Sequence, residues 1–405
     1  MKKKILLILI LCLTTAGCSL YPDGSISGSD EKNVEVKEDN DTKHIQTIIN
    51  SSVSVDIDVE DYKATALKEL KAEYRNWSEQ EMKDVVDLFS INRNMEGYSD
   101  NNPERRGYTY DDESKLSIGT GCISFYTPKS LERNYQYYNQ EIISGKKSKE
   151  EVFPKEELDD FPKQQAVQEV RDLCNRLNIN LSSNEPIVYT YDKDSMTKVM
   201  MRNEEILRYN KTKSGEILNE ISWGYEDELY YMEFDVELYG LDMMKYSIND
   251  NSKYSVDTKV TVAFGRNGIE QFDAYMLFDE KEIVNDNLQI VDIEDIVKQL
   301  SAFLMYNNQL DEQTITDIKL IYVPMGIKGS KDAQKQVTIR PFWSCTVTRS
   351  LYSEKDGISM GLPSSLSTVL TITRIRSMFF HSLKPPMLYV SETLPLWKIT
   401  SMARA

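Results

Sequence analysis

Apolar residues recur along this chain with two periods, and the two predict different elements. The stretch "SVSVDIDVE" sets Val53, Val55, Ile57 and Val59 against polar neighbours, and period two predicts a half-buried strand. In "NWSEQEMKDVVDLF" the spacing of Met82, Val85, Val86 and Phe89 predicts a helix docked by one face. Ser78 and Glu81 supply a capping box for it, and Trp77 and Met82 are placed as a hydrophobic staple. A second helix is predicted in "KQQAVQEVRDLCNRLNI", with Val167, Val170, Cys174 and Leu177 in register and Asn178 as its stop. A third starts at Asp292 and carries Ile293, Ile296, Val297, Leu300 and Leu304.

Strands are predicted in "KLSIGTGCISFYT", "PIVYTY", "ELYYMEFDVELYG" and "KVTVAFGRNGIEQFDAYMLF". Asn267-Gly268 predicts a two-residue hairpin turn in the last of these. "DIKLIYVPM" and "VTIRPFW" read as a further pair of strands, and residues 93 to 113, rich in Asn, Asp, Arg, Gly and Tyr, read as a loop. Strands in meanders, without the regular strand–helix alternation of parallel folds, predict an α+β protein of antiparallel sheets with helices packed on one face. A helix followed by strands near 163–191 and again near 293–343 suggests two related subdomains, although no residue-by-residue repeat is visible. The polar interval 145–162 is the expected boundary, giving α+β regions at 49–150 and 151–350.

The N-terminus changes the picture. Lys2, Lys3 and Lys4 precede nine apolar residues, Ile5 to Leu13, and then Ala16, Gly17 and Cys18. A bilayer core needs about twenty residues, so this run has the proportions of a signal-peptide core. The order resembles a bacterial lipobox, with Thr15 standing where that pattern usually has leucine. The resemblance implies removal of residues 1–17 and transfer of a diacylglyceryl group, with palmitate-type acyl chains, to Cys18. The alternative is an ordinary secretory signal with an incidental cysteine. Residues 18–48 are mostly Ser, Gly, Asp, Glu, Asn and Lys, a composition that predicts a disordered tether.

Charge and composition narrow the functions. Loss of the three leader lysines takes the net charge from −17 to −20, which argues against nucleic acid. Cys122, Cys174 and Cys345 lie far from any zinc or CxxC spacing and read as small apolar residues. Histidine occurs only at His44, in the expected tether, and at His381, so the body lacks the usual general base and zinc ligand. No glycine motif for phosphate is present, and no cofactor or metal is expected.

Three features invite chemistry. In "YMEFDVEL", Glu233, Asp235 and Glu237 share one strand face, with Tyr230, Met232, Phe234, Val236 and Leu238 on the other. Carboxylates about 7 Å apart suit a glycosidase pair better than one small cation, but the favoured reading is a solvated outer face on an acidic protein. "NDNSKYSVD" near Asp250 has the flavour of a calcium loop but lacks its glycine and final glutamate, and reads as a surface turn. The 24 tyrosines, with runs such as "NYQYYNQ", suit either a groove for sugar or peptide or simple packing.

The lipobox, the acidic stalk, "WSEQEMKDVVDLF", the helix before "IKLIYVPM" and the "IRPFW" strand together resemble uncharacterised lipoproteins of Gram-positive, clostridia-like bacteria. The segment 290–345 is also similar to the extracellular YycH and YycI type regulators of a cell-wall sensor kinase. These resemblances imply a lipid-anchored protein on the outer side of the cell membrane. Its body would be a non-enzymatic binding or regulatory module, with an envelope protein or wall component as partner. The alternatives are a carboxylate-dependent hydrolase of wall polysaccharide and a solute-binding lipoprotein.

The last 49 residues, from Gly357, break the pattern. They hold one acid, Glu392, against five Lys or Arg, and lose the alternation of the preceding strands. Residues 351–405 are either a basic C-terminal element or the product of a shifted reading frame, and the second case predicts an incomplete sheet edge.

Overall fold

The computed structural model describes residues 35–39, 42–48, 53–60, 67–102, 105–133, 135, 138–143, 147–202, 223–244, 258–288, 293, 295–297, 300, 312–326, 336–350, 368–372 and 388–391. The leader, Cys18, the segment near Asp250, Asp292 and Leu304 lie outside them. In chain order the elements begin with β1 (Glu35–Asp39), β2 (Thr42–Ile48), β3 (Val53–Glu60), β4 (Leu67–Tyr74), α1 (Glu79–Phe89), β5 (Met95–Asn102) and β6 (Arg105–Tyr110). Next come β7 (Lys115–Gly119), β8 (Cys122–Tyr126), the short helices α2 (Pro128–Arg133), α3 (Gln140–Ile143) and α4 (Lys149–Val152), then α5 (Lys163–Arg176), β9 (Ile187–Tyr191) and α6 (Lys193–Arg202). After a 3-10 turn at Tyr225–Asp227 come β10 (Leu229–Asp235), β11 (Glu237–Leu238), β12 (Leu241–Asp242), β13 (Lys259–Gly265), β14 (Gly268–Tyr275) and β15 (Phe278–Leu288). The chain then forms β16 (Glu312–Gly326), β17 (Gln336–Ser350), β18 (Thr368–Ile372) and β19 (Leu388–Ser391).

This is an α+β fold built on two large sheets. An eight-stranded sheet runs β5-β6-β7-β8-β14-β13-β10-β9, and every neighbouring pair is antiparallel. The second sheet follows the path β1-β2-β3-β16-β17-β18-β19, with β4 joined to β17 and β15 to β4. One pair in it, β3 with β16, is parallel. Both sheets draw strands from either side of residues 145–162, so that polar interval does not separate two sheet domains. A hairpin leads from β16 to β17, as expected, whereas α5 leads to the single strand β9, so no common helix–hairpin unit is repeated.

Register sorts the eight-stranded sheet into an apolar and a polar face. Tyr98, Tyr108, Leu116, Phe125, Phe272, Val262, Met232 and Val188 stand opposite one another in a single row from β5 to β9. The helices α1 and α5 pack on this inner face. Phe89 of α1 stacks on Phe125 with ring centroids 4.9 Å apart, and Ala166, Val167, Val170, Leu173 and Cys174 of α5 are buried in the same core. The capping box between Ser78 and Glu81 is present, and Asn178 ends the second helix region with φ 52°. On α1 the buried face is Met82, Val85, Leu88 and Phe89, while Val86 is only partly buried. Residues 295–297 are helical, and Ile296, Val297 and Leu300 are buried as their spacing predicts.

Three expectations change. Residues 93–113 form the hairpin β5–β6 rather than a loop. Tyr108 and Tyr110 are buried, but they stand among Gly, Thr, Asp and Arg rather than Val, Ile or Leu, so the apolar alternation is short. The expected tether at 18–48 is interrupted by β1 and β2, which pair with each other and with β3, and Ile45 is buried opposite Ile57. His44 therefore sits on a strand, its Nδ1 2.7 Å from Asp58 Oδ1. In the atypical tail, β18 pairs with residues 343–347 of β17 and β19 pairs with β18, so that edge has a neighbour. The rest of the tail lies outside the described residues.

Candidate functional site: the outer face of the eight-stranded sheet

The opposite face carries a polar row in the same register. Ser99, Gly107, Ser117, Ser124, Asp273, Thr261, Glu233 and Ile187 align across the eight strands. At the β9–β10 end this face is covered. Tyr135, Tyr138, Val152, Phe153, Met196, Val199 and Trp223 pack with Tyr189, Tyr191, Leu229, Tyr231 and Ala263 into a second core. The "NYQYYNQ" tyrosines Tyr135 and Tyr138 are thus packing residues, both at most 1% exposed.

Of the sequence-predicted acids, Glu233 and Asp235 stay on the outer face of β10 and are half-buried. Glu233 accepts a bond from Asn139 Nδ2 at 3.5 Å. Glu237 leaves the row. The strand breaks at Val236, which bridges to Leu181, and Glu237 pairs with Asp242 in the small ribbon β11–β12. The proposed Glu233–Glu237 glycosidase pair is therefore split between two sheets.

The structure brings together a different set at the centre of the face. Asp273 is 3% exposed, and its Oδ1 accepts from Tyr126 at 2.6 Å and Tyr275 at 2.9 Å, while Oδ2 accepts from Gln271 Nε2 at 2.7 Å. Ser124 Oγ donates to the Tyr275 hydroxyl at 3.1 Å. A buried carboxylate is tolerated when donors replace its water, and here three do. Burial, and then the Asp273 charge, push both tyrosine hydroxyls above their ordinary range, so they remain donors at neutral pH. An upright tyrosine holds its hydroxyl well above an upright aspartate or serine on the same face. Tyr126 and Tyr275 must therefore lean over the middle row, and Tyr275 remains 36% exposed.

Beyond this pair, from β8 to β5, the middle row is Ser124, Ser117, Gly107 and Ser99. On one side it is flanked by Lys115 and Thr109 in the Tyr126 row; on the other the row is Cys122, Gly119 and Arg105, whose Nε bonds Ser117 Oγ. Ser124 is itself buried under Tyr275, so the accessible small residues Ser117, Gly107 and Ser99 make a shallow trough about 10 Å long, two strand spacings of about 4.8 Å.

A separate knot fastens the covered end. The bulge in β14 pushes Glu270 out of register, where it meets Lys129 Nζ at 2.8 Å and the Tyr135 hydroxyl. Lys129 and Arg133 also hold Asp227, at 3.1 and 3.0 Å. Nearby, Arg266 pairs with Glu228 at 3.2 Å and lies 3.8 Å over the Tyr225 ring. A depression of about 230 Å³ beside it is lined by Asp160, Phe161, Gln165, Glu169, Phe264, Arg266 and Gly268.

Among the described residues no group of three or more His, Cys, Asp or Glu is placed to hold a metal ion. Cys174 and Cys345 are free and buried, and burial pushes the Cys174 thiol up to about 12. Cys122 is free and half-buried. No helix among the described residues is long and apolar enough to cross a membrane.

No family model and no curated protein matches the chain. Among solved structures it is similar to an uncharacterized protein from Eubacterium rectale, at 15% identity and a TM-score of 0.56. The match covers 81% of this chain and 90% of that one. At that identity the two share a fold, and the neighbour comes from a clostridia-like bacterium.

The Asp273 knot escaped sequence reasoning. "ISFYT" and "QFDAY" each show polar residues at alternate positions, yet nothing in either says that they are neighbours.

Proposed function

We propose that this protein is a lipoprotein of the cell envelope, held by acyl chains on Cys18 and facing outward, whose α+β body is a non-enzymatic binding or regulatory module. The order of basic, apolar and small residues before Cys18 supports the anchor. The observation that carries the binding role is Asp273. Both of its oxygens are committed to posing neighbouring side chains at the end of an open polar trough, an arrangement suited to recognition rather than proton transfer. The reading agrees with the sequence resemblance to Gram-positive lipoproteins, and a regulator of the YycH and YycI kind is one form such a module takes.

Two measurements test it. Cys18→Ala should abolish acyl labelling and either release the protein from membranes or leave its leader uncleaved. A variant that stays membrane-bound with its leader removed refutes the anchor. Crosslinking on intact cells should capture one reproducible envelope component through the outer sheet face, and capture through unrelated faces alone refutes the module.

A further inference from the structure

We propose that the trough across β5–β7, with the Tyr126–Tyr275 pair at its end, binds the glycan strands of the cell wall, a reading that rests on the envelope placement above. A pyranose ring offers an apolar C–H face and a rim of hydroxyls. It is matched by an aromatic ring held in a fixed pose with donors and acceptors alongside. Tyr126 and Tyr275 meet this need because their hydroxyls are tied to one buried carboxylate oxygen, at 2.6 and 2.9 Å. Rings posed before binding lose little freedom when a ligand arrives.

The burial of Asp273 is otherwise hard to account for. An apolar residue there would pack against Ser124 and the two rings without the cost of desolvating a charge. The carboxylate makes sense if the pose of the rings matters, and Asp273 is then a positioning residue.

The trough fits the same ligand. Its floor of Ser117, Gly107 and Ser99 is too small and polar to receive apolar peptide anchors, and its strands already pair on both sides except at the β5 edge. Strand addition and helix-in-groove binding are therefore poorly served. Nucleic acid is disfavoured by the net charge of −20 left after leader removal. A polyhydroxylated chain needs hydroxyl, ammonium and guanidinium partners, which Ser117, Lys115 and Arg105 supply.

The test uses the full chain, purified from whichever cell fraction holds it. It is sedimented with wall glycan freed of stem peptides, and separately with the released peptides coupled to beads. Wild type should sediment with the peptide-free glycan. Tyr126→Ala and Tyr275→Ala should each weaken binding at least tenfold, and Tyr225→Ala, on an exposed ring elsewhere, should not. Asp273→Asn should weaken binding several-fold and diminish the near-ultraviolet tyrosine dichroism that reports fixed rings. Binding to peptide beads alone, no binding to glycan, or full binding by both alanine variants overturns the proposal. If those variants misfold, hydroxyl-radical footprinting of wild type decides. At least threefold protection of Tyr126 and Tyr275 by glycan is expected, and none refutes it. Detergent-phase partition of the same preparations reads the anchor independently: an aqueous protein that still binds glycan refutes the lipoprotein reading alone.

Discussion

Tyr230 links the core of the eight-stranded sheet to the loop that precedes α5. Its ring is fully buried on the inner face, 5.4 Å from the Phe161 ring. Its hydroxyl accepts from the Leu158 amide at 2.8 Å and donates to the Phe161 carbonyl at 2.6 Å. Tyr230→Phe keeps the ring and its packing but strands one buried backbone donor and one buried acceptor. Each such group costs about 1–3 kcal/mol. With some relief at the carbonyl, the variant should lose about 2–4 kcal/mol, and 2 kcal/mol alone changes the unfolding constant about 30-fold. Urea unfolding followed by fluorescence and circular dichroism reads the total. Hydrogen exchange at the Leu158 amide reads the local event, and protection there should fall more than at β13. Tyr225→Phe is the control, since that hydroxyl makes one long bond of 3.4 Å to the Asp159 carbonyl on an exposed side chain. It should change stability by less than about 0.5 kcal/mol. A Tyr230→Phe protein within that same margin of wild type would refute the reasoning.

Gly121 turns the β7–β8 hairpin at φ +68°, and a Cβ there would meet Tyr74 Cδ1 at 3.0 Å and the Leu277 carbonyl at 3.1 Å. Gly121→Ala should therefore lower stability by about 1–3 kcal/mol, and an unchanged thermal midpoint would contradict this. On α1, Val85→Asp should cost more than about 3 kcal/mol, because Val85 is 2% exposed, while Val86→Asp should cost less and Lys83→Asp little. Equal urea midpoints for the three would show that the buried face is misplaced. Against burial, which lowers it, the Asp242 carboxylate 3.2 Å away raises the Lys319 pKa. A raised folded-state value stabilises fully below the unfolded lysine value of about 10.4 and is lost as pH rises through the folded one. Lys319→Met should accordingly be less stable than wild type at pH 7, with the gap closing in strongly alkaline buffer. A gap that widens there would reverse the sign.

What the sequence determined by itself is local. A capping box needs only Ser78 and Glu81 three residues apart, a helix face needs only its spacing, and the hairpin turn needs only Asn267-Gly268. These depend on backbone geometry within one turn or one strand, so they are written in neighbouring residues. The broad class, α+β with antiparallel sheets, follows from the same signals added along the chain. The interior of β10 was legible too, because Tyr230, Met232 and Phe234 alternate cleanly into the core. The edge strands β5 and β6 were not, since their inward positions Tyr98, Tyr108 and Tyr110 stand among Gly, Ser, Asp, Asn and Arg with no Val, Ile or Leu to mark a strand.

Tertiary structure decided the rest. Ser124 and Asp273 face each other only because β8 pairs with β14 across nearly 150 residues of chain, and a slip of one residue would have turned Asp273 into the core. The same pairing brings Tyr126 and Tyr275, among the tyrosines of the described residues, to one shared carboxylate. It was also the break at Val236, with its bridge to Leu181, that took Glu237 out of a row in which strict alternation had placed it. Register between distant strands is set by the summed burial of whole rows of side chains, a quantity that no short window of sequence contains.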